Sequence, residues 1–253
     1  MAPTERIPTN LRTLLILEIV AKSDKALTAT EINGDLDLPK QTVHRLVNTL
    51  EREGFLVREQ SGNRYRASRR TRQMASGLLN SSRVHLARHQ ILADVSDRLR
   101  ESVNFVVPDE TGMHYLDRVE TDWPFRIQLP IGSNVPFHCT ASGKCFMASL
   151  GKSAREKLLA SLTLTEMTKN TRTEVDVLLK ELADCARQGY ALDDEEFIDD
   201  MVAVAVPVTD PQGRFVAALA THGPVQRLTL DIARENRFVL MDAAEKLTDA
   251  LFS

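Results

Sequence analysis

The chain of 253 residues is short of cysteine: three are present, Cys139, Cys145 and Cys185, no two form a CxxC pair, and an odd number cannot all pair within one chain. That usage suits a reducing compartment and excludes a disulfide-built scaffold. Long apolar runs are also missing. No stretch approaches the roughly 20 residues that a membrane span requires, and the opening MAPTERIPTN lacks the apolar core of a secretory signal. A soluble, cytoplasmic protein with no membrane partner is expected. There is no repeat, no low-complexity tract and no excess of positive charge, the balance being −3 with a pI near 6.1. What the chain does have is length for two ordinary domains and 43% apolar residues to build their cores.

Its charge is unevenly placed. Residues 1–85 hold 14 Lys and Arg against 9 Asp and Glu, whereas residues 86–253 hold 18 against 26. The basic part contains LTATEINGDLDLPKQTVHRLVNTLEREGFL, from Leu27 to Leu56, which predicts two short helices, a tight turn and a strand. Thr28, with Glu31 three residues on, forms a capping box that starts the first helix at Thr28 or Ala29. Pro39 suits the opening of the second helix. Asp37 falls at the sharp turn between them, where Asp tolerates a left-handed backbone. Stepping about 100° per residue from Lys40 to Arg52 sets Val43, Leu46, Val47 and Leu50 on one side, with Gln41, His44, Arg45, Asn48 and Arg52 opposite. The second face carries groups that hydrogen-bond base edges, and Lys40 and Thr42 are placed for the flanking DNA backbone.

Gly54 ends this helix, Phe55 to Arg58 predicts a strand, Ser61-Gly62-Asn63 a turn and Arg64 to Ala67 a returning strand. Together these make a winged helix-turn-helix. Arg64, Arg66, Arg69, Arg70 and Arg72 cluster on the wing and just beyond it, suited to phosphates and to salt-dependent binding. The plainer reading is an amphipathic helix pair with a solvated face. The order of cap, turn, reading face and basic hairpin favours the DNA reader.

Leu11 to Lys22 predicts a helix supporting the reading pair. Thr71 to about Arg100 predicts a linker helix, a candidate dimerisation element because two reading heads double the contacts. Beyond it, Val103 to Val107, His114 to Val119 and Phe125 to Leu129 predict strands. Helices follow at Thr140 to Leu150, Ala154 to Leu162 and Glu174 to Arg187, then a hairpin of Val202 to Val208 with Arg214 to Thr221, and a closing helix from Leu230 to Leu251. The fold class is α+β: a winged helix-turn-helix over 1–70, a linker helix over 71–85, and over 86–253 an α+β domain whose antiparallel sheet suits enclosure of a small ligand.

Some residues invite other chemistry. Ser142-Gly143-Lys144 resembles a phosphate loop, but Gly132 is out of register and Cys145 replaces the needed Ser or Thr. His138 beside Cys139 suggests a thiol nucleophile, yet neighbours in an extended segment point to opposite sides. His85 and His89, four apart on a helix, suggest a metal, but no further His or Cys lies nearby in sequence. Asp193 to Glu196 read as a solvated acidic turn. No catalytic residue, metal or cofactor is expected.

Three stretches resemble the IclR family of bacterial transcriptional regulators, over nearly the whole chain. LPKQTVHRLVNTLEREGFL is similar to the family's reading helix, VPFHCTASGKCFMASL to its P-x-H-x-T/S-A-x-G-K-A pattern, and RQGYALDDEEFIDDMVAVAVPVTDPQGRFVAALATHGP to its R-x-x-G-Y-x-x-D-x-E-E segment and following strands. The resemblance implies a GAF-like effector-binding domain after the linker, and a dimer or dimer of dimers on a partly palindromic double-stranded DNA operator. It also implies a small-molecule effector, typically a small organic acid or aromatic catabolite. By the same resemblance the effector site includes Ile127 and Val135 as apolar walls, Ala141 and Ser142 at a helix start, Asp193 from the acidic segment and Ala203 on the next strand. Free N–H groups at a helix N-terminus suit a carboxylate. Three departures stand out: Asp37 for the usual turn Gly, and Asp200 and Ala203 where the family often has Gly and then Cys. Facing inward, Asp200 would oppose a dianion or require a cation; facing outward, it would leave the pocket unchanged.

The expected function is transcriptional control through a small-molecule effector, with DNA read by Lys40, Gln41, Thr42, His44, Arg45, Asn48, Arg64 and Arg66. The alternatives are a thiol redox sensor or enzyme fused to a DNA-binding head, and an architectural DNA binder that needs no ligand.

Overall fold

Residues 7–252, except 24, 60, 61, 80, 81 and 128, are described in the computed structural model. The chain divides into two compact units, Met1–Asn80 and Ser81–Ser253. In the first, α1 (Arg12–Ala21) buries Ile16 and Val20. A two-residue strand that the sequence did not predict, β1 (Leu27–Thr28), runs directly into α2 (Ala29–Gly34). The capping box forms there: Thr28 Oγ1 accepts the Glu31 N–H at 3.2 Å, and the Glu31 carboxylate accepts the Thr28 N–H at 2.7 Å. Asp37 takes φ of 48°, as the turn demands. The turn is clamped by Asn33, whose side chain accepts from the Leu38 N–H at 3.0 Å and donates to the Leu38 carbonyl at 2.8 Å.

Helix α3 (Lys40–Arg52) follows, burying Val43, Val47 and Leu50. Gly54, with φ of 75°, reverses the chain into β2 (Leu56–Arg58), and β3 (Arg64–Ala67) returns between β1 and β2 in an antiparallel sheet. The expected turn at Ser61-Gly62-Asn63 lies partly outside the described residues. Ile16, Ile32, Val47, Leu56 and Tyr65 close this core. Across the expected helix at 71–100 the described residues are helical, as α4 (Arg69–Leu79) in the first unit and α5 (Ser82–Leu99) in the second, and residues 80 and 81 between them lie outside the described residues.

In the second unit β4 (Ser102–Pro108), β5 (Met113–Val119) and β6 (Asn134–Val135) precede α6 (Ala141–Ser149), α7 (Lys152–Ser161) and α8 (Val175–Gln188). Then come β7 (Ala191–Asp194), β8 (Met201–Thr209), β9 (Phe215–Pro224) and α9 (Leu230–Phe252). The antiparallel sheet runs β6-β5-β4-β9-β8-β7. Helices α5 and α9 pack together, α5 against β4 and β5 and α9 against β8, while α6 covers β7, β8 and β9 with α8 behind it. Small side chains, Ala203, Ala205, Ala218 and Ala220, let α6 approach that sheet.

Two expectations are corrected. Phe125 to Leu129 contains no strand among its described residues, because the carbonyls of Ile127 and Leu129 are taken by Arg118, at 2.8 Å each, rather than by a neighbouring strand. The acidic run is not a solvated turn: Asp193 lies in edge strand β7, and Asp193 and Glu196 are each 1% exposed.

Candidate DNA-reading face and effector cavity

Six of the eight residues expected to read DNA lie on α3, and Arg64 and Arg66 lie on β3. Lys40, Gln41, His44, Arg45 and Asn48 are exposed and Thr42 is half-buried. Asn48 is tied to the wing, its side-chain oxygen 3.4 Å from the Tyr65 hydroxyl. The arginines beyond it divide into two groups. Arg64 donates to the Ala26 carbonyl at 2.9 Å and to Glu31 at 3.0 Å. Arg70 donates to the Glu53 carbonyl at 2.6 Å and stacks 4.1 Å over the Phe55 ring, and Arg72 donates to the Ala67 carbonyl at 3.0 Å. These three hold the head together. Arg66 and Arg69 are exposed and carry surface charge suited to phosphate, and Arg70 is exposed as well despite its bond to Glu53.

A small cavity opens in the second unit where the N-terminus of α6 meets β4, β7, β8 and β9. It is lined by Asn104, Ala141, Ser142, Asp193, Ala203 and His222, among others, with 20 Å³ of room, about one water. Four of the six expected effector residues meet there. Val135 is buried in the core, and Ile127, lacking its strand, offers a carbonyl to Arg118 and His222, so neither lines the cavity. Thr140 caps α6 by accepting the Gly143 N–H at 3.1 Å. The Ala141 and Ser142 N–H groups precede the first helical bond, Lys144 to Thr140, and are oriented for an anion.

Behind α6, fully buried Lys144 donates to Glu196 and, at 2.7 Å, to Glu181. Burial alone would lower its pKa; the carboxylates of Glu196 and Glu181 outweigh that and hold it up. Asp193 Oδ1 accepts the N–H groups of Glu196 and Phe197 at 2.8 and 3.3 Å. Burial nonetheless pushes the Asp193 carboxyl up to about 7.

His85 and His89 come together with Asp117 of β5, a carboxylate distant in sequence, their ligand atoms within 4.8 Å of one another. Arg88 donates to Asp117 Oδ2 at 2.8 Å, placing a fixed positive charge on the carboxylate a metal would need. All three thiols are buried, and burial pushes Cys139 up to about 12, Cys185 up to about 11 and Cys145 upward as well, which disfavours the nucleophilic thiolate.

Residues 11–60 match the IclR helix-turn-helix domain, and residues 77–249 match the family described as bacterial transcriptional regulator IclR, C-terminal. The chain belongs to the IclR family. It is 40% identical to the probable transcriptional regulator SauR of Cupriavidus necator over 222 residues, 87% of this chain and 88% of SauR. The crystal structure of Thermotoga maritima IclR superposes with a TM-score of 0.65 at 26% identity, covering 97% of this chain and 99% of that one. An IclR homolog from Microbacterium hydrocarbonoxydans, crystallised with 4-hydroxybenzoate, gives a TM-score of 0.60 at 25% identity, covering 96% and 98%. This IclR-family protein is thus a DNA-binding transcriptional regulator.

The departures from the IclR pattern now have physical accounts. Asp200 sits at φ of 60°, a conformation that favours Gly and that Asp tolerates, and its side chain is exposed. It places no charge in the cavity. Ala203 does line the cavity. Sequence reasoning missed Asn104 and His222, although Asn104 is the one polar residue in the apolar run Val103 to Val107.

His222 also sets a pH response. Burial, with the nearby Arg118 charge, pushes its pKa from 6.5 down to about 4. Stability from its neutral form is therefore intact above about 6.5 and lost as pH falls toward 4. Asp193 has the opposite sign, since its raised pKa removes stability as pH rises from about 4 to about 7. Comparing wild type with His222→Gln isolates the first effect. In urea titrations the wild type's margin over the variant should shrink by about 3 kcal/mol between pH 7 and pH 4.

Proposed function

We propose that this protein regulates transcription in response to a small organic acid or aromatic catabolite, binding a partly palindromic operator as a dimer or dimer of dimers. In this reading residues 1–70 form the DNA-binding head, 71–85 the linker and 86–253 the effector-binding domain. Gln41, His44, Arg45 and Asn48 contact bases in the major groove, with Lys40, Thr42 and Arg66 on the DNA backbone, and Ala141, Ser142, Asp193 and Ala203 meet the effector. The observation that carries the effector half is the cavity at the N-terminus of α6, lined both by the first residues of that helix and by the buried carboxylate of Asp193. The 4-hydroxybenzoate held by the Microbacterium homolog supports an organic acid as the ligand class. A coupling of about 1–3 kcal/mol between the two sites suffices for regulation.

DNA titrations across salt concentrations test the division of labour on the head. Arg45→Ala should weaken operator binding by about 1–3 kcal/mol and relax preference at one base pair, whereas Arg66→Ala should weaken all sequences evenly and flatten the salt slope by about one. Equal behaviour of the two variants would overturn the assignment. An effector at 100 times its Kd should stabilise the protein by about 2.7 kcal/mol in a thermal-shift screen of small acids.

A further inference from the structure

We propose that the effector carries a hydrogen-bond donor as well as its negative charge, making it a small hydroxylated acid rather than its deoxy or keto counterpart. This rests on the organic-acid reading above. It comes from two residues outside the set the family resemblance supplies with Asp193: Asn104 and His222.

The cavity has two chemical poles. At the N-terminus of α6 the first N–H groups offer donors to an anion. Opposite in character are two acceptors, Asp193 Oδ2 and Asn104 Oδ1, both buried and without a hydrogen-bond partner. Buried acceptors in native proteins nearly always have a donor, and both residues line this cavity, so each lacks one that a ligand or a trapped water could supply.

Their orientation is fixed by the protein. The His222 Nε2–H points at the Ile127 carbonyl, 3.3 Å away, which leaves Nδ1 as an acceptor. Asn104 Nδ2 donates to that Nδ1 at 2.9 Å, so Asn104 Oδ1 is turned away from the ring and cannot be satisfied by flipping the amide. Asp193 is fixed likewise, because Oδ1 holds the N–H groups of Glu196 and Phe197 and leaves Oδ2 over. A methyl or keto group set against these oxygens would leave them unmatched. A second carboxylate would set like charge against Asp193. A hydroxyl, or an N–H, matches them. Sites built to hydrogen-bond a ligand hydroxyl discriminate strongly against the analogue that lacks it.

The test is calorimetric titration of the full-length protein at pH 8, where Asp193 is ionised, with matched pairs: glycolate and acetate, lactate and propionate, 4-hydroxybenzoate and benzoate. At least one hydroxy acid should bind ten times or more tighter than its partner. Asp193→Asn should reduce that preference to under threefold, since the Asn oxygen must still accept from Glu196 and Phe197 and its NH2 then replaces an acceptor. Asn104→Leu, which leaves the Asp193 turn intact, should weaken the same hydroxy acid. Binding of both members of a pair within threefold would overturn the proposal while leaving an organic-acid effector standing, the acceptors then being satisfied by water. A preference unchanged in both variants would overturn it too. If no member of any pair binds, the organic-acid reading falls and this proposal falls with it.

Discussion

Replacing Lys144 by Met should destabilise the protein by about 3–5 kcal/mol, the usual loss when one partner of a buried ion pair is removed. Met keeps most of the volume, so the loss reports charge. Glu181 retains Arg172 at 2.8 Å, but Glu196, 1% exposed, keeps no cation within hydrogen-bond distance among the described residues. Burial already raises the Glu196 pKa and Lys144 holds it back; without the ammonium it must take a proton or remain an uncompensated buried charge. Urea unfolding of the single variant against Lys144→Met/Glu196→Gln checks this. The double variant should recover a substantial part of the loss. No recovery would mean that the ammonium acts by packing rather than by charge.

Gly143→Ala should cost about 3 kcal/mol or more, at the upper end of what forcing extra volume into a packed interior incurs. A Cβ there would lie 2.3 Å from the Phe137 carbonyl oxygen and 2.5 Å from the Phe137 Cα. Both are backbone atoms, so the segment leading into α6 must shift, and the N–H groups at the head of α6 shift with it. The variant should therefore lose stability and also the thermal shift given by any small acid that stabilises the wild type. Gly151→Ala is the control: a Cβ there meets nothing within 4 Å, and the change should stay within about 0.5 kcal/mol.

The reading head was legible because its signals are local. Thr28 and Glu31, Asp37, Gly54 and the two faces of α3 each act over one turn of chain, and each takes the expected conformation. The cavity was only partly legible because its chemistry depends on pairings across the sheet. Asn104 meets His222 from 118 positions away, and Lys144 meets Glu196 from 52. No periodicity encodes such partners. The strand expected at Phe125 to Leu129 failed for the same reason, since its alternating pattern carried no sign that Arg118 would take its carbonyls. The arginine cluster was visible as composition, but which members face outward depends on Glu31, Glu53 and Phe55 beneath them.

The contact from Arg64 to Glu31 has a mechanical consequence. Glu31 holds the Thr28 backbone and the wing arginine at once, and the Thr28 hydrogen bonds draw its carboxyl below the usual range. Tilting the wing would thus uncap α2, while Asn33 binds α2 to the turn before α3. Among its described residues the head is braced like a tool, from wing to helix cap to turn. If α3 reads bases as proposed, this bracing predicts an operator preference that does not vary with the state of the rest of the chain.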